Sequence, residues 1–135
     1  MNGFVGDGCG AVSDRGSISV LTAAVIAIAL VCSVGVADVA KVLVARAHAQ
    51  AAADSAALAA AQELALASGR RPSVFAGEFA KRNGAVLLGC TCDPGSTQVV
   101  VHVALPIGHL LLVPGDRTVV AWARAVVDIP GVPQA

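Results

Sequence analysis

Residues 16–37 read GSISVLTAAVIAIALVCSVGVA, a stretch of 22 positions without one charged side chain. Asp14 and Arg15 close it on one side, Asp38 and Lys41 on the other. As an α-helix rising about 1.5 Å per residue it would extend about 33 Å, enough to cross a hydrocarbon core of about 30 Å. A buried core helix is the first alternative. It would need a large body of protein around it, and the remainder of a 135-residue chain is too small to supply one. A cleavable secretion signal is the second. That reading needs a basic leader, an apolar core of about 7–15 residues and a small-x-small site soon after. Here the leader carries only Arg15, the core is longer, and the Ala-x-Ala sites, Ala45-Arg46-Ala47 and Ala47-His48-Ala49, lie well past its end. The stretch therefore reads as an uncleaved transmembrane helix over 16–37 behind a short leader or cytoplasmic segment, 1–15. Charge does not orient it clearly. Arg15 and the amino terminus stand before it and Lys41 and Arg46 after it, which leans slightly against a cytoplasmic N-terminus.

Composition agrees with a membrane segment. The chain is 56% hydrophobic and 13% charged, against about 25% charged in ordinary soluble domains, and its mean hydropathy is +0.77. Nine basic residues balance nine acidic ones. A neutral chain lacks the electrostatic footprint of a nucleic-acid binder. One Trp, three Phe and no Tyr leave few platforms on which bases could stack.

Beyond the apolar run the chain continues without Gly or Pro to Ser68-Gly69, through AKVLVARAHAQAAADSAALAAAQELALASG. Alanine, the best helix former, dominates it. A stalk helix over 38–69, continuous with the anchor, is the expectation, with Ser68-Gly69 as its stop. Lys41, His48, Ser55 and Gln62 recur every seven residues as a narrow polar stripe. Ala45, Ala49, Ala53, Ala57, Ala61 and Ala65 form a row every four, a ridge that lets another backbone come close. The row is either a by-product of high alanine content or a helix-packing surface. In both cases so apolar a helix must bury one face, on the rest of the chain, on a partner's helix, or on both. His48 and Asp54 read as solvated surface residues.

The remaining module, 70–129, opens on Arg70-Arg71-Pro72. Pro72 suits the first position of a short helix, with Val74, Phe75 and Phe79 as its apolar face and Asn83-Gly84 as its end. Three β-like runs follow, at 85–92, 97–105 and 117–127, with Asp93-Pro94-Gly95-Ser96 as a hairpin turn and Pro106 to Asp116 as a longer loop. The tail, 130–135, carries no fold signal and reads as disordered. So small a sheet cannot bury a core alone, and the stalk is its expected cover. Val120, Trp122 and Val126 share one face of the last strand and are expected to press on it. Leu110 to Val113 is either a partner or lipid surface or, the reading favoured here, folds back to cap the core. The expected fold is α+β and pilin-like: a long N-terminal transmembrane and stalk helix, a short helix and a three-stranded antiparallel sheet.

No phosphate loop, H-E-x-x-H or G-x-S-x-G motif is present. Cys90-x-Cys92, with His102 and His109, is the best chemical candidate, but its spacing is tighter than a zinc site uses, and it lacks the C-x-x-C form of a redox pair. Two residues apart on a strand, the thiols would share a face with Cα atoms about 6.5 Å apart, near the outer limit for a disulfide. At least one free or intermolecularly paired thiol is expected. Cys9 precedes the apolar run, Cys32 lies within it, and if the run spans a membrane Cys9 cannot pair with Cys90 or Cys92. His102, alternating with valines, reads as a strand residue. No enzyme activity, cofactor, metal or small-molecule substrate is expected.

DRGSISVLTAAVIAIALV leading into RAHAQAAADSAALAAA (46–61), then AKRNGAVLLGC and VVVHVALP, resembles the TadE/TadG-like proteins of actinobacteria, encoded beside tight-adherence (Flp-type) pilus and secretion machinery. The resemblance spans about Asp14 to about Val127. It implies a minor pilin or pseudopilin with one membrane helix, a cytoplasmic N-terminus and a small extracytoplasmic module. Such a protein works by assembly with other pilin-like or secretion-system subunits, here through the Ala-rich helix. It also implies processing by a prepilin-type peptidase between Gly16 and Ser17. Pilins carry Glu at the fifth position after the cut; this chain has Leu21 there. The competing expectation is a secreted or membrane-anchored binding protein whose C-terminal module acts on a partner independently of a pilus.

Overall fold

The computed structural model describes residues 15–66 and 68–128. Two helices and three strands follow in order: α1 (Arg15–Leu66), α2 (Pro72–Arg82), β1 (Val86–Thr91), β2 (Gln98–His109) and β3 (Asp116–Val126). The strands form one antiparallel sheet in the order β1-β2-β3. This is the expected α+β plan of one long helix, one short helix and a meander. The tail and most of the leader lie outside the described residues.

The chain divides into two units, residues 1–34 and 35–135. The described part of the first is the leading portion of α1. There Ile18, Val20, Leu21, Val25, Ile26, Ile28, Leu30 and Val31 are all exposed. Hydroxyls along it bond back to the helix, Thr22 Oγ1 to the Ile18 carbonyl at 2.9 Å and Ser33 Oγ to the Ala29 carbonyl at 2.8 Å. Such back-bonding satisfies a hydroxyl that hydrocarbon could not. From Ile18 onward α1 is long and apolar enough to cross a membrane, the only such helix among the described residues.

The second unit holds the core. Ala49, Ala52, Ala53, Ala56 and Ala60 of α1, Ala76 and Ala80 of α2, and Val99, Val101 and Val103 of β2 are fully buried, with Ala121 and Ala123 of β3 beside them. The stalk does cover the sheet. The contact is built from methyl and isopropyl groups. The facing of β3 is the reverse of that expected. Val120, Trp122 and Val126 are 59%, 60% and 57% exposed on the outer face, while Ala121 and Ala123 turn inward. An indole would not fit between an alanine ridge and a valine strand, so the small residues of the alternation take the core.

The elements end where local chemistry dictates. Ser68 Oγ donates to Glu63 just past α1, and Gly69 follows with φ +79°. Pro72 begins α2. At its end Asn83 donates its side-chain amide to the Phe79 carbonyl (2.9 Å) and to Ser55 Oγ of α1 (3.0 Å). The apolar face of α2 differs from expectation. Ala76 and Ala80 are its buried residues, Phe75 and Phe79 are half-buried, and Val74 is exposed. Arg70 and Arg82 lie over the Phe75 and Phe79 rings at 5.4 and 5.2 Å. The turn at Asp93–Ser96 is closed by the Ser96 amide on the Asp93 carbonyl, 3.0 Å.

Two irregularities shape the sheet. In β1 the pairing shifts between Leu87 and Gly89, so that Leu87 faces Val103 and Cys90 faces Val101. The extra residue, Leu88, is exposed, and Leu87 and Cys90 both pack on the core despite their odd spacing. β2 runs four residues past its expected end, through Pro106 to His109, with a second shift between Pro106 and Gly108. A proline inside a strand normally ends pairing; the irregularity accommodates it. The expected eleven-residue loop is thereby reduced to the hairpin tip 110–115.

Candidate membrane and assembly surface

The tip of the β2–β3 hairpin is fastened to α1 by one side chain. Asp38, the first acidic residue after the uncharged run, accepts the backbone N–H of Leu111 on one carboxylate oxygen (2.9 Å) and that of Leu112 on the other (2.8 Å). Asp38 is 7% exposed, the one buried polar or charged residue among those described. A buried carboxylate is costly unless its oxygens are satisfied, and two amide donors satisfy it. The Leu111 amide first, then the Leu112 amide, holds its carboxyl below the ordinary carboxylate value; burial opposes this and the nearby Lys41 adds a smaller pull in the same direction.

The tip does not fold back onto the core. Leu110 is half-buried, but Leu111, Leu112 and Val113 are exposed, which overturns the favoured expectation that this segment caps the core. The reason lies in the backbone. With their amides bound by Asp38, residues 111 and 112 are held at α1, where Leu112 lies beside Gly35, and not in the core cluster. His109 Nε2 and Asp116 Oδ1 lie 3.5 Å apart across the base of the tip, both exposed.

A second fastening lies along the same helix, where Gln50 Nε2 donates to the Trp122 carbonyl of β3 at 3.1 Å and to Asp54 Oδ1 at 3.0 Å. β3 has no further strand beside it, so this amide occupies one carbonyl of an open edge. From Gln50 to Asp38 is about 18 Å along the helix. From Trp122 to the tip is about 20 Å along the strand. The hairpin therefore runs beside α1 down to the end of the uncharged run.

The residues singled out from sequence fall as follows. Ala45, Ala49, Ala53, Ala57 and Ala61 are buried within the module and Ala65 is exposed, so the row packs mainly on the chain's own sheet and short helix. Of the polar stripe, Lys41, His48 and Gln62 are exposed and Ser55 is half-buried, holding Asn83. Gly16 and Ser17 belong to the first turn of α1. Cys90 and Cys92 are joined as a disulfide with Cα atoms 5.5 Å apart, in place of the expected free or intermolecularly paired thiol. The strand ends at Thr91, so the backbone contracts below the spacing of a fully extended pair. Cys32 is a free, exposed thiol, and Cys9 lies outside the described residues. His102 is exposed on the outer face opposite Trp122. Among the described residues, no three His, Cys, Asp or Glu side chains are grouped to hold a metal.

Sequence reasoning passed over Asp38, which entered only as the bracket of the apolar run. Its partners lie 73 and 74 residues away, and no local pattern marks them.

The site thus consists of a long, outward-facing apolar helix joined to an alanine-packed module. Residues 16–63 match the family model described as putative Flp pilus-assembly TadE/G-like. The match covers the apolar run and most of the alanine stalk, so the similarity lies in α1, and it supports a component associated with a Flp pilus. No curated protein and no solved structure matches the chain.

Proposed function

We propose that this protein is a membrane-anchored minor pilin or pseudopilin of a tight-adherence system, a structural subunit with an extracytoplasmic module. One observation carries the reading: the family match falls on a helix that is exposed and apolar along 18–31 and alanine-packed along 49–60. Large apolar side chains that face outward suit lipid or a neighbouring apolar helix, not water. The alanine half is occupied by the chain's own module, so contacts with other subunits fall to other surfaces: the exposed run and the residues around the module. The alternative, a module shed by cleavage at the Ala-x-Ala sites, is disfavoured by the fold. Those bonds lie inside a continuous helix, Ala45 and Ala49 are buried, and a cut there would separate Asp38 from the tip it holds.

The test is the mass and N-terminal residue of the protein from its host's membrane. Retention of residues 16–37 in the membrane fraction is expected. A start at Met1 means an unprocessed anchor, and a start at Ser17 means prepilin-type processing at Gly16. A start at Gln50, with the protein in the medium, would overturn the anchored reading. Deletion of the gene is expected to impair pilus assembly or secretion; unchanged assembly would remove the structural role.

A further inference from the structure

The hairpin tip and the end of the uncharged run meet at one level. Asp38 directly follows residues 16–37 and holds the tip through two amides. Leu112 reaches further: its Cδ1 lies 3.8 Å from the position a Cβ would occupy on Gly35, a residue inside the run. Leu111, Leu112 and Val113 are nevertheless 68%, 55% and 39% exposed. Four consecutive apolar residues, 110–113, at the tip of a hairpin are an error in a water-facing surface unless they serve a contact. Two of the backbone groups that would resist leaving water, the Leu111 and Leu112 amides, are already paired with Asp38. What surrounds Gly35 also surrounds Leu112, and if the helix crosses a bilayer at 16–37, that medium is lipid.

We propose that Leu111, Leu112 and Val113 form a second membrane contact, inserted into the headgroup–acyl boundary of the bilayer that residues 16–37 cross, with Asp38 as the positioning residue that holds them there. The proposal rests on the anchored reading above. The module would then be held at two points, by the helix and by the hairpin tip, which restricts its swing about the helix.

The experiment uses the full chain in proteoliposomes of phosphatidylcholine and phosphatidylglycerol containing spin-labelled lipids with the label near the headgroup or deep in the acyl chain. In a Trp122→Phe background, Leu112→Trp provides the only indole, at the tip, and a parallel Ile28→Trp variant reports on the anchor. The probe at position 112 is expected to show blue-shifted emission and stronger quenching by the shallow label than by the deep one. The probe at 28 is expected to show the reverse preference. Adding Asp38→Ala is expected to reduce quenching at 112 while leaving that at 28 unchanged; no reduction would remove the positioning role of Asp38. Quenching at 28 with none at 112 would overturn the tip contact and leave the anchor standing. No quenching at either position would overturn both. Blue-shifted emission at 112 without lipid quenching would mean that protein, such as a second copy of this chain, covers the tip, and would overturn the lipid assignment.

Discussion

The two portions of α1 are both apolar, yet they bury opposite fractions of themselves. Along 18–31 the large side chains are 56% to 71% exposed. Along 49–60 five alanines are completely buried. Hydropathy alone would rank the first stretch as the better core. Side-chain size explains the inversion. A helix of Ile, Val and Leu presents a broad, bulky surface that needs a surrounding apolar medium. A helix of Ala presents backbone almost directly, so a β-sheet can come close and exclude water with small groups on both sides. One continuous helix thus carries an exposed apolar portion and a buried alanine portion, with Asp38, the one buried charge among the described residues, between them.

The largest effect should come from breaking the first portion. Ile28→Arg exchanges a favourable residue for one disfavoured by about 2.5–3.5 kcal/mol at a helix centre, a total swing of about 3–4 kcal/mol. Membrane retention under alkaline extraction should fall sharply, while hydrogen exchange at the Val99, Val101 and Val103 amides should not change. Undiminished retention would mean that position 28 does not lie in lipid. The matching change in the second portion is Ala56→Leu. It adds three carbons at a fully buried site and should destabilise the module by about 1–3 kcal/mol through overpacking. Thermal unfolding in detergent should show a lowered Tm with membrane retention intact. A tolerated leucine would show that the alanine interface is loose.

These contrasts also explain what could be read in the residues beforehand. The long helix was legible because no Gly or Pro interrupts 38–67 and because the uncharged run has sharp charged borders. The three strands were legible from their β-branched runs and from the turn at Asp93–Ser96. The facing of β3 was not. RTVVAWARAVV sets Thr118 and Arg124 on the same face as Val120, Trp122 and Val126, a polar signal outweighed in the reading by the size of the indole, and the usual preference for burying the larger residue fails where the partner is an alanine ridge. The extension of β2 through Pro106 depended on a register irregularity that accommodates a residue which ordinarily ends pairing, so 106–109 read as loop. Of the candidate site, the alanine row was found but its partner was left open between the chain itself and another subunit. The Asp38 fastening was invisible, since it joins a carboxylate to backbone amides, which every residue but proline carries. Gly16 and Ser17 enter through the family resemblance alone; their position in the first turn of α1 does not bear on processing.

An intermediate effect is expected at the border between the two portions. Asp38→Ala removes two charge-assisted hydrogen bonds, each of the kind worth about 1.5–3 kcal/mol. The freed amides at the tip can turn to water, so the net loss should fall near the lower figure, about 1–2 kcal/mol. Hydrogen exchange at Leu111 and Leu112 should accelerate selectively. Acid should do the same to the unsubstituted chain. The folded carboxyl titrates below its ordinary value of 3.8, so its contribution is present above that pH and is lost as pH falls through the lower folded value. Protection of the two amides should therefore persist from neutral pH down to about 4 and disappear only in stronger acid. Asp38→Asn should abolish that dependence. Loss of protection at pH values well above about 4 would mean that a group other than Asp38 controls the tip.

The smallest effect should fall on the largest side chain of the sheet. Trp122 is 60% exposed, and its cross-strand neighbour on β2 is His102. Such pairs contribute about 0.2–1 kcal/mol. Trp122→Ser should therefore lower stability by less than about 1 kcal/mol, within reach of denaturant titration in detergent. The adjacent Ala123→Leu, fully within the alanine contact at 6% exposure, should cost more although it only adds apolar bulk. The order matters more than either magnitude. If replacing the indole costs more than enlarging the alanine, β3 faces the helix in the opposite register, and the close contact inferred for the second portion of α1 is lost with it. If the order holds, the module is stabilised by the smallness of its core residues, and the large ones on its outer face contribute little to folding.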